Sequence, residues 1–341
     1  MPVATLAWKD GGLDIIDQRL LPLIEKHLLL ATVPEVCEAI ETLAVRGAPA
    51  IGVAAAYGVV VAARERADEA HVRAAILRLR KTRPTAVNLF SALDRMERAV
   101  GEAFSSSDPA GRLLELAHAL FEEDLRICRE LSEHGAELLS DGDTVLTHCN
   151  AGGLATTGWG TALGVIYAAV EQGKRISVFA DETRPLLQGA RLTAWELHRV
   201  GIPVTVICDN MAAAVMQRGG INHVITGADR IAGNGDTANK IGTYGLSIIA
   251  REHGVPFYIA APLTSFDFQI ATGDEIPIEE RKDSEIHTIN GVRIAPEGVS
   301  FFNPSFDVTP AENISAIISE KGVARKPYGP ALAEWGKAMD K

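Results

Sequence analysis

Cysteine is scarce in this chain. Cys37, Cys128, Cys149 and Cys208 are scattered along 341 residues, and no two of them have metal-ligand spacing. Few cysteines in a long chain point to a reduced, intracellular protein rather than a disulfide scaffold. Basic residues are in deficit, 33 against 44 acidic ones, and the net charge of −11 argues against a nucleic-acid-binding surface. Any anionic ligand must therefore be held by a few local cations. A long apolar run is also missing. The longest, Pro49 to Ala63, is about 15 residues and rich in Ala and Gly, short of the roughly 20 that span a bilayer. It reads as a buried helix, and no membrane partner is expected. The first residues lack the basic start and apolar stretch of a signal peptide, so the expected location is cytoplasmic. There is no G-x-S-x-G, H-E-x-x-H or Walker A sequence, and no internal repeat.

What is present divides into two rhythms. Apolar residues flank an Asp10-Gly11 turn, a hairpin signal. Helical spacing then dominates: Pro34 to Val45, a helix from Pro49, an amphipathic stretch with Val72, Ile76 and Leu79, a segment from Leu89 to Ala103, and a long helix from Pro109 to Leu139. Pro84 interrupts this pattern at Thr82-Arg83-Pro84-Thr85. Beyond Ser140, short β-rich runs appear at Thr144–His148, Ile176–Ala180, Val204–Cys208, His223–Thr226 and Pro256–Ala260. Helical stretches separate them at Leu154–Glu171, Gly189–Val200, Ala212–Arg218 and Lys240–Glu252. Alternation of this kind predicts a parallel sheet. The expected fold is α/β, with a mostly helical N-terminal domain (1–140) followed by a Rossmann-like, doubly wound parallel-sheet domain (141–341). Residues 267–325 are less regular and are expected to wrap back onto the sheet.

The turns after these strands concentrate functional groups on the edge where α/β sheets bind ligands. Thr147-His148-Cys149-Asn150-Ala151-Gly152-Gly153 places Cys149 at a strand's carboxyl end. If a helix begins at Leu154, its amino terminus would draw the thiol toward thiolate. The alternative is an inert, buried cysteine. His148 points to the opposite face and reads as structural. Asp229 directly follows an apolar strand; burial would raise its pKa and make it a proton donor, and the alternative is a helix cap or a partner of Arg230. An acid and a base with pKa values pushed apart suit proton transfer. Gly233-Asn234-Gly235-Asp236-Thr237-Ala238 formally fits a dinucleotide fingerprint, but it lies too far from its strand and lacks the later acidic residue. Arg46-Gly47-Ala48-Pro49 and Thr82-Arg83-Pro84-Thr85 each put an arginine at a helix start, which suits phosphate, and Asn239-Lys240 adds a third such place. Surface ion pairs are the alternative for the arginines.

Taken together these motifs resemble the methylthioribose-1-phosphate isomerase family, in the fold group that also holds ribose-1,5-bisphosphate isomerases and the regulatory subunits of the translation-initiation guanine-nucleotide exchange factor. The resemblance runs from Arg46-Gly47-Ala48-Pro49-Ala50-Ile51-Gly52 through Asp181 to Arg191, Gly227-Ala228-Asp229-Arg230-Ile231 and Asn234 to Thr243, to Glu320-Lys321-Gly322-Val323. It implies an aldose–ketose isomerase of methionine salvage, converting 5-methylthioribose 1-phosphate to 5-methylthioribulose 1-phosphate without metal or other cofactor. By family pattern Cys149 and Asp229 form the catalytic pair, and Arg46, Gly47, Ala48, Arg83, Gln188, Asn239 and Lys240 match substrate-binding positions. A homodimer is implied as well. A bisphosphate isomerase and a non-catalytic sugar-phosphate-binding subunit are the two alternatives within the same fold group.

Overall fold

The computed structural model describes residues 2–84 and 86–339; Thr85 of the proline-interrupted motif lies outside them. The chain divides into two compact units. The first takes residues 1–129 and 151–164, the second residues 130–150 and 165–341.

The first unit opens with an antiparallel sheet of β1 (Leu6–Lys9), β2 (Gly12–Ile16) and β3 (His27–Leu30), in the order β1-β2-β3. The expected hairpin is present and gains a third strand. Helix α1 (Val33–Glu41) starts at a capping box: Thr32 Oγ1 accepts the Glu35 N–H, and Glu35 accepts the Thr32 N–H. Helix α2 (Ala48–Glu65) is the centre of the unit, and every residue from Ala50 to Ala63 is buried. A helix apolar on all sides must be enclosed on all sides. Here α1, α3 (Glu69–Arg80) and α4 (Val87–Phe104) surround it, so the apolar run is a core helix. Helix α5 (Pro109–Ala136) supplies Leu113, Ala117 and Leu120 to the same core.

The second unit is built on a seven-stranded sheet in the order β16-β15-β10-β7-β4-β5-β6. Its strands are β4 (Thr144–Thr147), β5 (Ser177–Asp181), β6 (Val204–Ile207), β7 (His223–Thr226), β10 (Phe257–Ala260), β15 (Ala316–Ser319) and β16 (Gly322–Ala324). All neighbours pair in parallel except β16 against β15. The central strands are apolar in their middles, as strands covered on both faces must be: Val145, Leu146, Val224, Ile225 and Ile259 are fully buried. Helices α6 (Ala162–Glu171), α7 (Ala194–Arg199), α8 (Ala212–Gln217) and α9 (Thr243–Glu252) connect them. The α/β architecture is the expected one.

Two local expectations fail. The segment after Cys149 does not enter a helix at Leu154. It makes one 3₁₀ turn at Gly153–Ala155 and an irregular loop, and α6 begins only at Ala162. The reason lies in Gly160, at φ +94° and bridged to Gly152, and in the Thr156 and Thr157 hydroxyls, which bond locally to backbone and to Asp124 rather than allowing a helix. Asn239 and Lys240 do not start a helix either. They end strand β9 (Thr237–Lys240), which pairs with β8 (Arg230–Ala232) and β14 (Phe306–Thr309) in a second sheet of order β11-β8-β9-β14, with β11 at Phe266–Asp267. The Gly233–Asp236 stretch is therefore a hairpin turn with no helix after it, which removes the dinucleotide reading. Residues 267–325 do wrap back onto the sheet, as expected: they contribute two strands to the main sheet and one to the second. They also hold a short helix, α10 (Ser284–His287), and a small hairpin of β12 (Thr288–Ile289) and β13 (Val292–Arg293); helix α11 (Gly329–Met339) closes the described chain.

Candidate active site

Strand order fixes where the chemistry lies. From β4 the chain adds β5 and then β6 on one side; it next crosses to the other side of β4 to lay down β7, and continues outward with β10 and β15. The order reverses between β4 and β7, and the crevice at the carboxyl ends of such a pair is the ligand site of open α/β sheets. Cys149 follows β4 and Asp229 follows β7. The two residues singled out as base and acid thus flank the switch point.

Cys149 is held in an unusual state. Its backbone lies at φ +66°, the left-handed region that non-glycine residues rarely enter. Its N–H donates to Thr183 Oγ1 at 2.8 Å, and its carbonyl accepts from Thr193 Oγ1 at 2.7 Å. The thiol, partly exposed, receives Gln188 Nε2 at 3.5 Å. Gln188 is itself buried, and its Oε1 has no hydrogen-bond partner among the described residues, which leaves an acceptor for a ligand hydroxyl beside the sulfur. No α-helix begins at Leu154, so the source of thiolate character expected there is absent.

Behind the cysteine, His148 is buried as expected for a structural histidine. Its Nδ1 meets Asp181 Oδ2 at 3.0 Å and its Nε2 meets the Ile241 carbonyl at 2.9 Å. A carbonyl only accepts, so Nε2 carries a hydrogen; the Nδ1 contact then requires a second proton, on either the ring or the carboxyl. Burial disfavours charge on the ring, but the Asp181 hydrogen bond and charge outweigh it and raise the imidazole pKa. Burial likewise raises Asp181, and the two share one proton. Asp209, at the end of β6, accepts the N–H groups of Thr183 and Arg184 at 2.7 Å each and so ties the β5 loop down. His148, Asp181 and Asp209 offer ligand atoms within 4.8 Å of one another; both His148 nitrogens, Asp181 Oδ2 and both Asp209 oxygens serve as hydrogen-bond partners, while Asp181 Oδ1 has none among the described residues.

Around Asp229, the β8–β9 hairpin closes by its N–H donating to the Ala238 carbonyl at 2.9 Å. Lys240, at the end of β9, donates to the Ser305 carbonyl at 2.8 Å and lies 5.1 Å over the Phe306 ring. Burial pulls its ammonium pKa down, against the opposing pull of Cys149 and Asp229. That coupling places a cation within electrostatic reach of both candidate catalytic groups. Asn239 is buried and donates to Thr243 Oγ1 at 3.1 Å. The amino terminus of α9 is already occupied by Asp307, which accepts from the Gly242 and Tyr244 N–H groups.

The remaining sequence-derived residues belong to the first unit. Arg46 and Arg83 are half-buried, Gly47 is the residue before α2, and Ala48 begins that helix, as expected. Gly47, at φ +94°, admits no side chain: a Cβ would lie 2.2 Å from the Ala155 carbonyl oxygen. Sequence reasoning missed Thr183 and Thr193. Thr183 lies inside the Asp181 to Arg191 stretch that helps carry the resemblance, with no sign that it would reach Cys149; Thr193 is far along the chain and sits in a π-helical turn that no residue pattern announces.

The fold sets this constellation at the switch point of an open α/β sheet, and the chain belongs to the Initiation factor 2 subunit family, whose profile matches residues 44–326. Within that family it is similar to the methylthioribose-1-phosphate isomerase of Syntrophotalea carbinolica, 56% identical over 98% of this chain and 99% of the relative. It is similar also to the 5-deoxyribose 1-phosphate isomerase of Moorella thermoacetica, 54% identical over 98% and 97%. Two solved structures share the fold. One is a 5-methylthioribose 1-phosphate isomerase from Pyrococcus horikoshii (TM-score 0.93, 43% identity, covering 99% of this chain and 96% of that one). The other is described as the translation initiation factor eIF-2B, subunit delta, from A. fulgidus (TM-score 0.90, 47% identity, covering 97% and 99%).

Proposed function

We propose that the protein is an aldose–ketose isomerase that converts 5-methylthioribose 1-phosphate to 5-methylthioribulose 1-phosphate in methionine salvage, with Cys149 as base and Asp229 as acid. The observation that carries this reading is the placement of these two residues on either side of the β4/β7 switch point, with Lys240 electrostatically coupled to both. The full-length similarity to named isomerases supports the substrate class. Arg46, Gly47, Ala48, Arg83, Gln188, Asn239 and Lys240 are the proposed substrate contacts.

The chemistry follows from the substrate. Phosphate on the anomeric oxygen prevents opening to a free aldehyde. Asp229 protonates the ring oxygen, the C1–O bond breaks, and the positive charge left at C1 is shared with the phosphate-bearing oxygen. Cys149, as thiolate, removes the C2 proton, giving a C1–C2 enol phosphate with its hydroxyl on C2. Return of that proton to C1, with loss of the C2 hydroxyl proton to the Asp229 carboxylate, yields the ketone and restores both groups. Close proton donors and acceptors of this kind are worth about 10²–10⁴ in rate each. C2-deuterated substrate turned over in water should lose label to solvent; complete retention at C1 would mean a direct hydride shift instead.

The 5-substituent is tested by comparing three substrates. Turnover of 5-methylthioribose 1-phosphate, with 5-deoxyribose 1-phosphate as a slower or comparable substrate, supports the assignment. Preference for ribose 1,5-bisphosphate would replace it with a bisphosphate isomerase, and no turnover of any of them would favour a sugar-phosphate-binding subunit. A cytoplasmic location and a homodimeric working form belong to the same proposal and rest on the resemblance to the isomerase family.

A further inference from the structure

The backbone of Cys149 is held by side chains. Strand β4 ends at Thr147 and the next helical turn begins only at Gly153, so neither a ladder nor a helical turn fixes residue 149. A left-handed conformation is sterically unfavourable for an ordinary residue, and such residues persist where their surroundings over-determine them. Here two buried hydroxyls do this, one on each side of the residue. Thr183 gives its hydroxyl hydrogen to the Asp181 carbonyl at 3.1 Å, which leaves its lone pair for the Cys149 N–H. Thr193 gives its hydrogen to the Cys149 carbonyl and accepts Asn150 Nδ2 at 3.2 Å; the other Asn150 amide hydrogen goes to buried Glu196 Oε1 at 2.8 Å. Every donor and acceptor in this chain of contacts has a single consistent role.

Both threonines are fully buried, so their hydroxyls are not there for solvation. Thr193 closes the π-helical turn Gly189–Thr193, which has one residue more than an α turn would need and sets the rotation at which Thr193 enters α7. Turns of this kind concentrate at functional sites. The same segment carries Gln188, whose amide touches the sulfur. One loop thus fixes the backbone of residue 149 at both ends and meets its thiol.

We infer that Thr183 and Thr193 are positioning residues for the reaction, a pair of hydroxyl clamps that hold Cys149 in the left-handed backbone from which its sulfur faces the substrate. The inference rests on Cys149 being the reacting thiol. It is tested with Thr183→Val and Thr193→Val, each paired with its serine variant. All are made in a Cys208→Ser background so that the exposed thiol does not react. Two quantities are read: kcat and KM for 5-methylthioribose 1-phosphate, and the pH profile of iodoacetamide alkylation at Cys149.

A displacement of the order of 1 Å in a catalytic group costs about 10²-fold in rate. Each valine variant is therefore expected to lose roughly 10–100-fold in kcat with KM within about 3-fold, and to show an altered alkylation profile. Serine, which keeps the hydroxyl, is expected to restore both. If valine at either position prevents folding, alanine carries the same comparison. Valine variants that melt at lower temperature but keep the parent kcat and alkylation profile would overturn the inference and leave only a structural role. Cys149→Ser is run alongside: its loss of turnover together with unchanged valine variants overturns the clamp alone, whereas full turnover in Cys149→Ser overturns the catalytic reading itself.

Discussion

At the scale of single residues, the buried pair of His148 and Asp181 makes the sharpest claim. Its geometry demands one shared proton, because Nε2 is already committed to the Ile241 carbonyl. We expect a far-downfield, slowly exchanging imidazole proton in the NMR spectrum of the parent that is missing from Asp181→Asn, where the amide donates instead. Its absence from the parent, or persistence in the variant, would contradict the assignment. Asp181→Ala leaves the imidazolium buried without its counter-charge and should cost about 3–5 kcal/mol in denaturant unfolding. The sign of the pH dependence follows from the raised imidazole pKa. The imidazole's contribution is complete below the ordinary histidine value of 6.5 and is lost as pH rises through the higher folded-state value. Melting temperatures taken across neutral to alkaline pH should fall faster for the parent than for Asp181→Asn; parallel curves would show that the pair does not titrate in this way.

At the scale of elements, the loop between β5 and α7 does most to shape the site, and it tolerates little. Gly189 opens its π turn, and a Cβ there would lie 1.7 Å from the Asp181 carbonyl oxygen. Gly189→Ala must move backbone, so a loss of about 1–3 kcal/mol or more is expected, with kcat reduced because Gln188 and Thr193 move with it. Parent-like stability and kcat would show that the loop is more yielding than its packing implies. Gly47→Ala is a second case, strained by φ +94° as well as by contact with Ala155.

Much of this level was legible beforehand. The apolar runs of β4, β7 and β10 and the Ala/Val/Gly character of α2 declare themselves through burial on all sides. The arginine before α2 and the acid after β7 were readable from their place relative to an element's end. The short strands β8, β9 and β14 were not, because three or four residues of mixed polarity show neither an apolar run nor a usable period, and Asn239-Lys240 passed for a helix start for the same reason. The late start of α6 was missed since its loop is held by Thr156, Thr157 and Asp124, contacts between residues distant in sequence. The threonine clamp is of that kind too: ordinary residue types whose meaning comes only from what the fold sets beside them.

At the scale of the whole molecule, strand order converts a one-dimensional sequence into a reaction centre. Eighty residues separate Cys149 from Asp229, and the reversal between β4 and β7 brings their strand ends side by side on one sheet edge. The acidic excess is spread over a chain whose phosphate contacts are proposed to be three cations, Arg46, Arg83 and Lys240. Binding should therefore weaken with added salt less than a surface-wide basic patch would, which a KM series in potassium chloride checks. The proposed homodimer gives twice the 36.4 kDa of one chain in light scattering; a value for one chain would correct it.

The central claim is that Cys149 and Asp229 together carry out the isomerisation. The most direct measurement is turnover of 5-methylthioribose 1-phosphate by the parent, Cys149→Ser and Asp229→Asn, with circular dichroism confirming that all three are folded. The account predicts a parent that produces the 1-phosphoketose and two folded variants each slowed by about 10²-fold or more. A parent without turnover, or either folded variant retaining the parent rate, would contradict it.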